Sequence, residues 1–496
     1  NARKSKKTTL CGEGWCSMKQ KNILFVVAEC ANFVATGGLA EVAGSLPKAI
    51  MKTNRAYKVR VMMPLYKTIA DKYQGKLKFL GETTVVLAWR RLYCGVFTLK
   101  LNGVDYYFID NKYYFDRDLI YGHYDDGERF AFFSKSIFET FNIIGFVPNI
   151  IHTHDWHTAL VNIYLDLLYK KHGLLTDIKS LFTIHNIEFQ GIFDLPFLED
   201  IIGVDKQYQE VLEYNGLVNL VKGAIVCSDL VSTVSPRYAR EITTAMYASG
   251  LEHITRTNGQ KIVGVINGID VDFYNPNLDS ALPVNYSAET FSNKLQNKQA
   301  LQRGLNLLID ANTCVISMIS RLTSQKGVDL VIDKLDEIMK ENVQFVLLGK
   351  GNRYFEDKFL EIAKRYSKRV SVLITYDTNL AKKIYGGADL FLMPSKTEPC
   401  GLSQMIASRY GTVPIVRATG GLFDTIKDYN DGAGNGFVFK DFDSQQMLDK
   451  IKEALTLYHD RERFNALATK IMGIDFSWNV SAASYLQMYK KMLGKK

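Results

Sequence analysis

Short runs of consecutive apolar residues, each closing on a turn, alternate along this chain with stretches whose apolar positions recur every three or four residues. Ile23 to Ala28 is the first run, continuous as expected of a parallel strand covered on both faces. It leads through Gly37-Gly38 into a helical pattern over Leu39 to Ile50. Val59 to Met63, Asp105 to Ile109, Ile150 to His152, Leu181 to Ile184 and Leu230 to Val234 repeat the run, with helical patterns such as Phe130 to Phe141 and Thr158 to Lys170 between them. The rhythm restarts near residue 263. Val263 to Ile266 meets the turn Asn267-Gly268, a helix is expected around Ala288 to Leu305, and strands at Cys314 to Ile319, Val343 to Leu348, Val370 to Ile374 and Leu390 to Met393 follow, with a helix over Val328 to Met339. An amphipathic helix over 478 to 493 closes the chain.

Alternating strands and helices predict doubly wound α/β sheets. With 496 residues, more than one core normally serves, the chain divides into two Rossmann-like domains, 18–262 and 263–477, facing across a cleft. Ligands of such sheets bind beyond the carboxyl ends of the strands. Residues 1–17 show no periodicity and read as a tag or flexible arm. No apolar run is long enough to span a bilayer and no secretory signal is evident, so no membrane partner and an intracellular setting are expected.

The net charge of +9 changes this picture little, because the two ends carry +3 and +4 and leave +2 for the body. A nearly neutral body argues against a nucleic-acid surface. The seven cysteines are scattered and lack zinc-finger spacing, which fits a reducing compartment without a disulfide or metal scaffold.

Candidate chemistry gathers where apolar runs end. A Thr-Gly-Gly-Leu turn occurs twice, at Thr36 to Leu39 and Thr419 to Leu422, each opening a helical pattern in a different half. Two glycines before a helix let backbone amides approach an anion closely, although one copy alone is also what an ordinary turn looks like. Arg321 and Lys326 follow Cys314 to Ile319, where a guanidinium fork and an ammonium could hold a diphosphate. Glu398, Cys400, Gly401, Leu402 and Ser403 follow Leu390 to Met393, offering a carboxylate to sugar hydroxyls or a developing cation and amides to a phosphate. His152, His154, Asp155, Trp156 and His157, with His185 and Asn186, also sit at strand ends and suit a sugar pocket better than zinc, since no third ligand has a suitable spacing. Asp270 and Asp272 superficially resemble a metal-binding acidic pair, but they follow the Asn267-Gly268 turn, where acids commonly cap structure.

Together these segments, with Tyr124 to Phe130, Val234-Ser235-Pro236 and Asn267 to Asp270, resemble the bacterial glycogen synthase and plant starch synthase family over residues 20 to 492. The resemblance implies a GT-B fold, an acceptor domain followed by a donor domain, whose final helix, within 478–496, crosses back to the first domain. It implies retaining transfer of glucose from ADP-glucose to an α-1,4-glucan, with no metal and no cofactor. By matching position, Arg321 and Lys326 would hold the leaving diphosphate, Glu398 would face the donor glucose, and His185 would lie near its 6-hydroxyl. Asp155 and Asn186 would line the sugar site, Thr36, Gly37, Gly38, Asn267, Cys400, Gly401, Leu402 and Ser403 would contact phosphate or glucose, Thr419, Gly420 and Gly421 would lie near the glucose, and Tyr376 would stack on the base. Such a protein is expected in the cytoplasm of a bacterium, or in a plastid if the N-terminal arm is the remnant of a transit peptide. Ala35 and Glu41 depart from the lysine and aspartate that many relatives carry. A UDP-glucose-using synthase and an inactive glucan-binding scaffold remain as alternatives.

Overall fold

The computed structural model describes residues 20–494, so the expected arm 1–17 lies outside the described residues. The first sheet is centred on β1 (Lys21–Val26), in which Ile23 to Val26 have no solvent exposure. β2 (Tyr57–Pro64), β3 (Lys78–Leu87), β4 (Arg90–Leu101) and β5 (Val104–Asp110) extend it to one side, and β6 (Ile150–His154) and β7 (Lys179–Ile184) to the other. A small antiparallel sheet of β8 (Ile192–Phe193), β9 (Glu213–Tyr214) and β10 (Leu217–Asn219) intervenes before β11 (Leu230–Thr233) and β12 (Ile262–Gly264) rejoin the main sheet. Its order is β12-β11-β7-β6-β1-β2-β5-β4-β3, parallel except where β4 runs against both neighbours.

The second sheet is wholly parallel. It contains β13 (Cys314–Ile319), β14 (Val343–Leu348), β15 (Val370–Leu373), β16 (Leu390–Met393), β17 (Val413–Arg417) and β18 (Phe437–Phe439) in the order β15-β14-β13-β16-β17-β18. These strands are apolar at almost every position because helices cover both faces. The last helix, Trp478–Met492, packs on the first-domain helix Gly38–Thr53 and inserts Tyr485 and Tyr489 into the first core. Among the described residues no helix is long and apolar enough to cross a membrane.

Two expectations need correction. Val263 to Ile266 does not open the second half. Ile262–Gly264 is β12, the edge of the first sheet, paired with β11 from Val231↔Ile262 to Thr233↔Gly264, and the second sheet begins only at Cys314. A three-residue edge strand beside a turn has the same sequence pattern whether it ends one sheet or starts the next. The β3-β4 hairpin was also not foreseen, because its turn carries no glycine or asparagine: Ala88 takes the positive φ of 52° there.

Candidate functional site

Each sheet has a switch point beside its first strand, where the chain crosses from one side of the sheet to the other, and both points carry candidate residues. In the first sheet it lies between β1 and β6, followed by the Thr36 turn and Asp155 respectively. In the second it lies between β13 and β16, followed by Arg321 and Lys326 and by Glu398. Crevices open at such points in parallel sheets. Here the two face each other over a cleft of about 630 Å³ lined by both domains.

On the second-domain wall, Lys326 Nζ lies 2.6 Å from Glu398 Oε2, and the Ser395 hydroxyl donates to the same oxygen at 3.0 Å. Glu398 is only 6% exposed, so the ammonium is its counter-charge. Arg321 is exposed in the cleft and makes no side-chain hydrogen bond or ion pair among the described residues. Cys400, Gly401, Leu402 and Ser403 line the same wall, Gly401 with φ of 72° and Ser403 opening a helix. Asn267 reaches the cleft from the interdomain connection, with its Oδ1 buried and unpaired.

The first-domain wall is built from Thr36, Gly37 and Gly38 and from the ends of β6 and β7. Glu29, which sequence reasoning missed, holds the turn by accepting from Thr36 N at 2.6 Å and Thr36 Oγ1 at 2.8 Å. Burial raises its carboxyl above the usual range, against the lowering effect of those bonds. The only available signal was an acid closing an otherwise apolar run. Asp155 adopts φ 55° and ψ 179°, a conformation that strains any residue but glycine. Its carboxylate accepts from His185 N at 2.7 Å, tying the β6 and β7 ends together, and burial pushes it up to about 7. His185 and Asn186 line the cleft beside it. Tyr121 and Gln325, also unforeseen, complete the lining, and Gln325 bridges the domains through Glu188 at 3.2 Å.

The imidazoles of the His-x-His run have protein partners. His152 contacts Tyr489 Oη at 2.8 Å and Thr183 Oγ1 at 2.6 Å, and His154 Nδ1 contacts His185 Nε2 at 3.0 Å. His157 stacks on Tyr121. Asp270 caps its own turn by accepting from Asp272 N and Phe273 N.

Four expected residues lie apart from the cleft lining. Tyr376 is 91% exposed beyond β15 and lines no part of the cleft. Thr419, Gly420 and Gly421 are buried at the domain junction, where Gly420 N and Thr419 Oγ1 donate to Glu241 of the first domain at 3.0 and 3.3 Å. The two Thr-Gly-Gly-Leu turns therefore differ physically. A Cβ on Gly37 or Gly38 would meet nothing within 4 Å, whereas one on Gly420 would lie 1.9 Å from Glu398 O and one on Gly421 2.1 Å from Cys400 O. The first turn leaves room for a ligand, and the second packs against the backbone that carries Glu398. Gly420→Ala is accordingly expected to cost about 3 kcal/mol of stability and Gly38→Ala less than about 1 kcal/mol, read as denaturant midpoints. Equal midpoints would show that the junction can relax.

Two α/β sheets face each other at their switch points, one at an open glycine turn and the other at Arg321, Lys326 and Glu398, the arrangement of a GT-B fold. Residues 22–257 match the family described as starch synthase catalytic domain, and residues 306–471 that of glycosyl transferases group 1. Over 477 residues the chain is 47% identical to the glycogen synthase of Geobacillus thermodenitrificans (strain NG80-2), covering 95% of this chain and 98% of that one. With the glycogen synthase of Bacillus cereus (strain Q1) identity is 44% over 476 residues, covering 95% and 100%. The catalytic domain of starch synthase IV from Arabidopsis thaliana, bound to ADP and acarbose, superposes with a TM-score of 0.88 at 33% identity, covering 96% of this chain and 100% of that one. The chain belongs to the glycogen and starch synthase family. Its fold also extends to sucrose-phosphate synthase from Thermosynechococcus elongatus, with a TM-score of 0.60 at 15% identity.

Proposed function

We propose that the protein transfers glucose from ADP-glucose to the non-reducing end of an α-1,4-glucan, with retention of configuration and without a metal ion. The observation that carries this reading is the gathering of Arg321 and of the Lys326–Glu398 ion pair at the second switch point, opposite the open Thr36 turn. Two cations and nearby amides can neutralise a departing diphosphate with no divalent ion. Arg321 brings a guanidinium with no partner among the described residues to compete for it. The ADP and acarbose bound by the starch synthase IV catalytic domain support an adenine nucleotide and a sugar ligand, and the bacterial relatives favour the cytoplasm over a plastid.

Retention fits attack by the acceptor hydroxyl on the face the diphosphate leaves. The carboxylates of the cleft are poor candidates for a covalent intermediate. Glu398 is held by an ammonium and a hydroxyl, and Asp155 accepts from the His185 backbone amide. Incubating the protein with ADP-glucose or UDP-glucose and glycogen, with and without EDTA, tests the proposal. Incorporation only from UDP-glucose would overturn the donor, loss of activity in EDTA the metal-free mechanism, and no incorporation from either donor the enzyme reading, leaving a glucan-binding scaffold.

Ala35 is exposed directly before the open turn. A lysine there adds a cation beside Thr36, so Ala35→Lys is expected to lower the KM for the nucleotide sugar about tenfold, one charge-assisted hydrogen bond, with little change in kcat. Steady-state kinetics at saturating glycogen decides it, and an unchanged KM means that position 35 does not reach the donor.

A further inference from the structure

We propose that His154 is a positioning residue for His185: the buried contact between the two rings fixes His185 as its Nδ1–H tautomer and so presents a hydrogen-bond donor to the cleft. Register places them together. His154, the last residue of β6, pairs with Thr183 of β7, and His185 follows two residues later. The His154 ring has no solvent exposure, and its one side-chain partner among the described residues is His185, through Nδ1 to Nε2 at 3.0 Å. His152, whose ring lies tilted with its centroid 4.2 Å away, uses both of its nitrogens on Tyr489 and Thr183 and takes no part in the contact.

Burial keeps both rings neutral, so one proton must lie between the two facing nitrogens. Were it on His185 Nε2, neutral His154 would carry its own proton on Nε2, which is sealed in the interior without a partner. The alternative strands an acceptor there instead of a donor, and buried donors without partners are the rarer case. His154 therefore donates from Nδ1, His185 accepts at Nε2, and the His185 proton resides on Nδ1. That nitrogen has no partner among the described residues and is not among the sealed atoms, while His185 lines the cleft. Its acceptor is an oxygen of a ligand in the cleft. On the glucosyl-transfer reading, the one point at which this inference rests on it, that oxygen is a hydroxyl of the donor sugar.

The tautomer is read without any ligand, from long-range proton-nitrogen correlation spectra of the full chain labelled with 15N-histidine, with the His185 signals identified by their loss in His185→Asn. A protonated Nδ1 and bare Nε2 are expected, and a protonated Nε2 overturns the assignment. Function is read from two substitutions. His154→Asn keeps an N–H near the Nδ1 position and should hold kcat within about threefold, whereas His154→Leu, equally unable to titrate, should lower kcat about tenfold or more. A merely structural histidine would give both variants the same activity per folded molecule, and that result, or an unchanged kcat in His154→Leu, overturns the role. Should the wild type transfer no glucose from any donor, the functional reading fails alone and the spectra still decide the tautomer.

Discussion

Lys326→Ala is expected to lower kcat/KM for glucosyl transfer by about 10³-fold, the scale of removing one donor that stabilises developing charge. The geometry separates this from a folding defect. Lys326 is the counter-charge of buried Glu398, so its loss also leaves a carboxylate with only the Ser395 hydroxyl and costs up to about 3 kcal/mol of stability. Lys326→Ala combined with Glu398→Gln removes both charges and should recover most of that stability while transfer remains lost. Arg321 supplies the cleaner comparison. It is exposed and has no side-chain partner among the described residues, so Arg321→Ala should leave the denaturation midpoint unchanged while transfer falls about 10²-fold or more. Recovery of activity along with stability in the double variant would show that Lys326 acts only through Glu398.

Much of this site was legible because parallel sheets concentrate chemistry where their strands end. Cys314 to Ile319 and Leu390 to Met393 are unambiguous apolar runs, and Arg321, Lys326 and Glu398 simply follow them. What failed to show were relations between distant segments. Glu241 meets Gly420 across 179 residues, and nothing at either position announces the other. The two Thr-Gly-Gly-Leu turns share four letters yet serve different ends, since one faces open space and the other a carbonyl. Glu29 reads as a lone acid after a strand until the chain folds back and Thr36 donates to it. β12 shows the same limit at the level of topology, because its three residues do not state which sheet they join. Pattern reports local burial, whereas packing decides which turn faces a ligand and which faces the protein.

Acidification should unfold the first domain early, and the histidines give the slope. Four of the chain's eight histidines, His152, His154, His157 and His185, are held neutral by burial, the last two at about 3, with neighbouring charge adding to the effect on all but His185. In the unfolded chain each would titrate near about 6.5. Below that pH the unfolded state therefore binds up to four more protons than the native state, and stability is lost as pH falls. Asp155 works in the opposite sense. Its native carboxyl titrates at about 7 against an ordinary 3.8, so between those values the native state binds the extra proton and gains stability as pH falls. Four histidines against Asp155 and the likewise raised Glu29 leave a net of about two to three protons, about 3 to 4 kcal/mol per pH unit near pH 5, where the unfolded histidines are almost fully protonated. Between pH 6 and pH 4 that slope removes about 6 to 8 kcal/mol, enough to exhaust the lower part of a margin of about 5 to 15 kcal/mol. His157→Phe keeps the ring that stacks on Tyr121 4.4 Å away but removes its titration, and should lessen the slope by about 1.4 kcal/mol per pH unit. Asp155→Asn retains an acceptor for His185 N and removes that carboxyl's opposing contribution, so its stability should fall more steeply with acid than that of the wild type. Denaturant titrations from pH 4.5 to 8 measure all three slopes. Identical slopes in wild type and His157→Phe would mean that water reaches His157 in the native state and that it titrates there as an ordinary surface histidine.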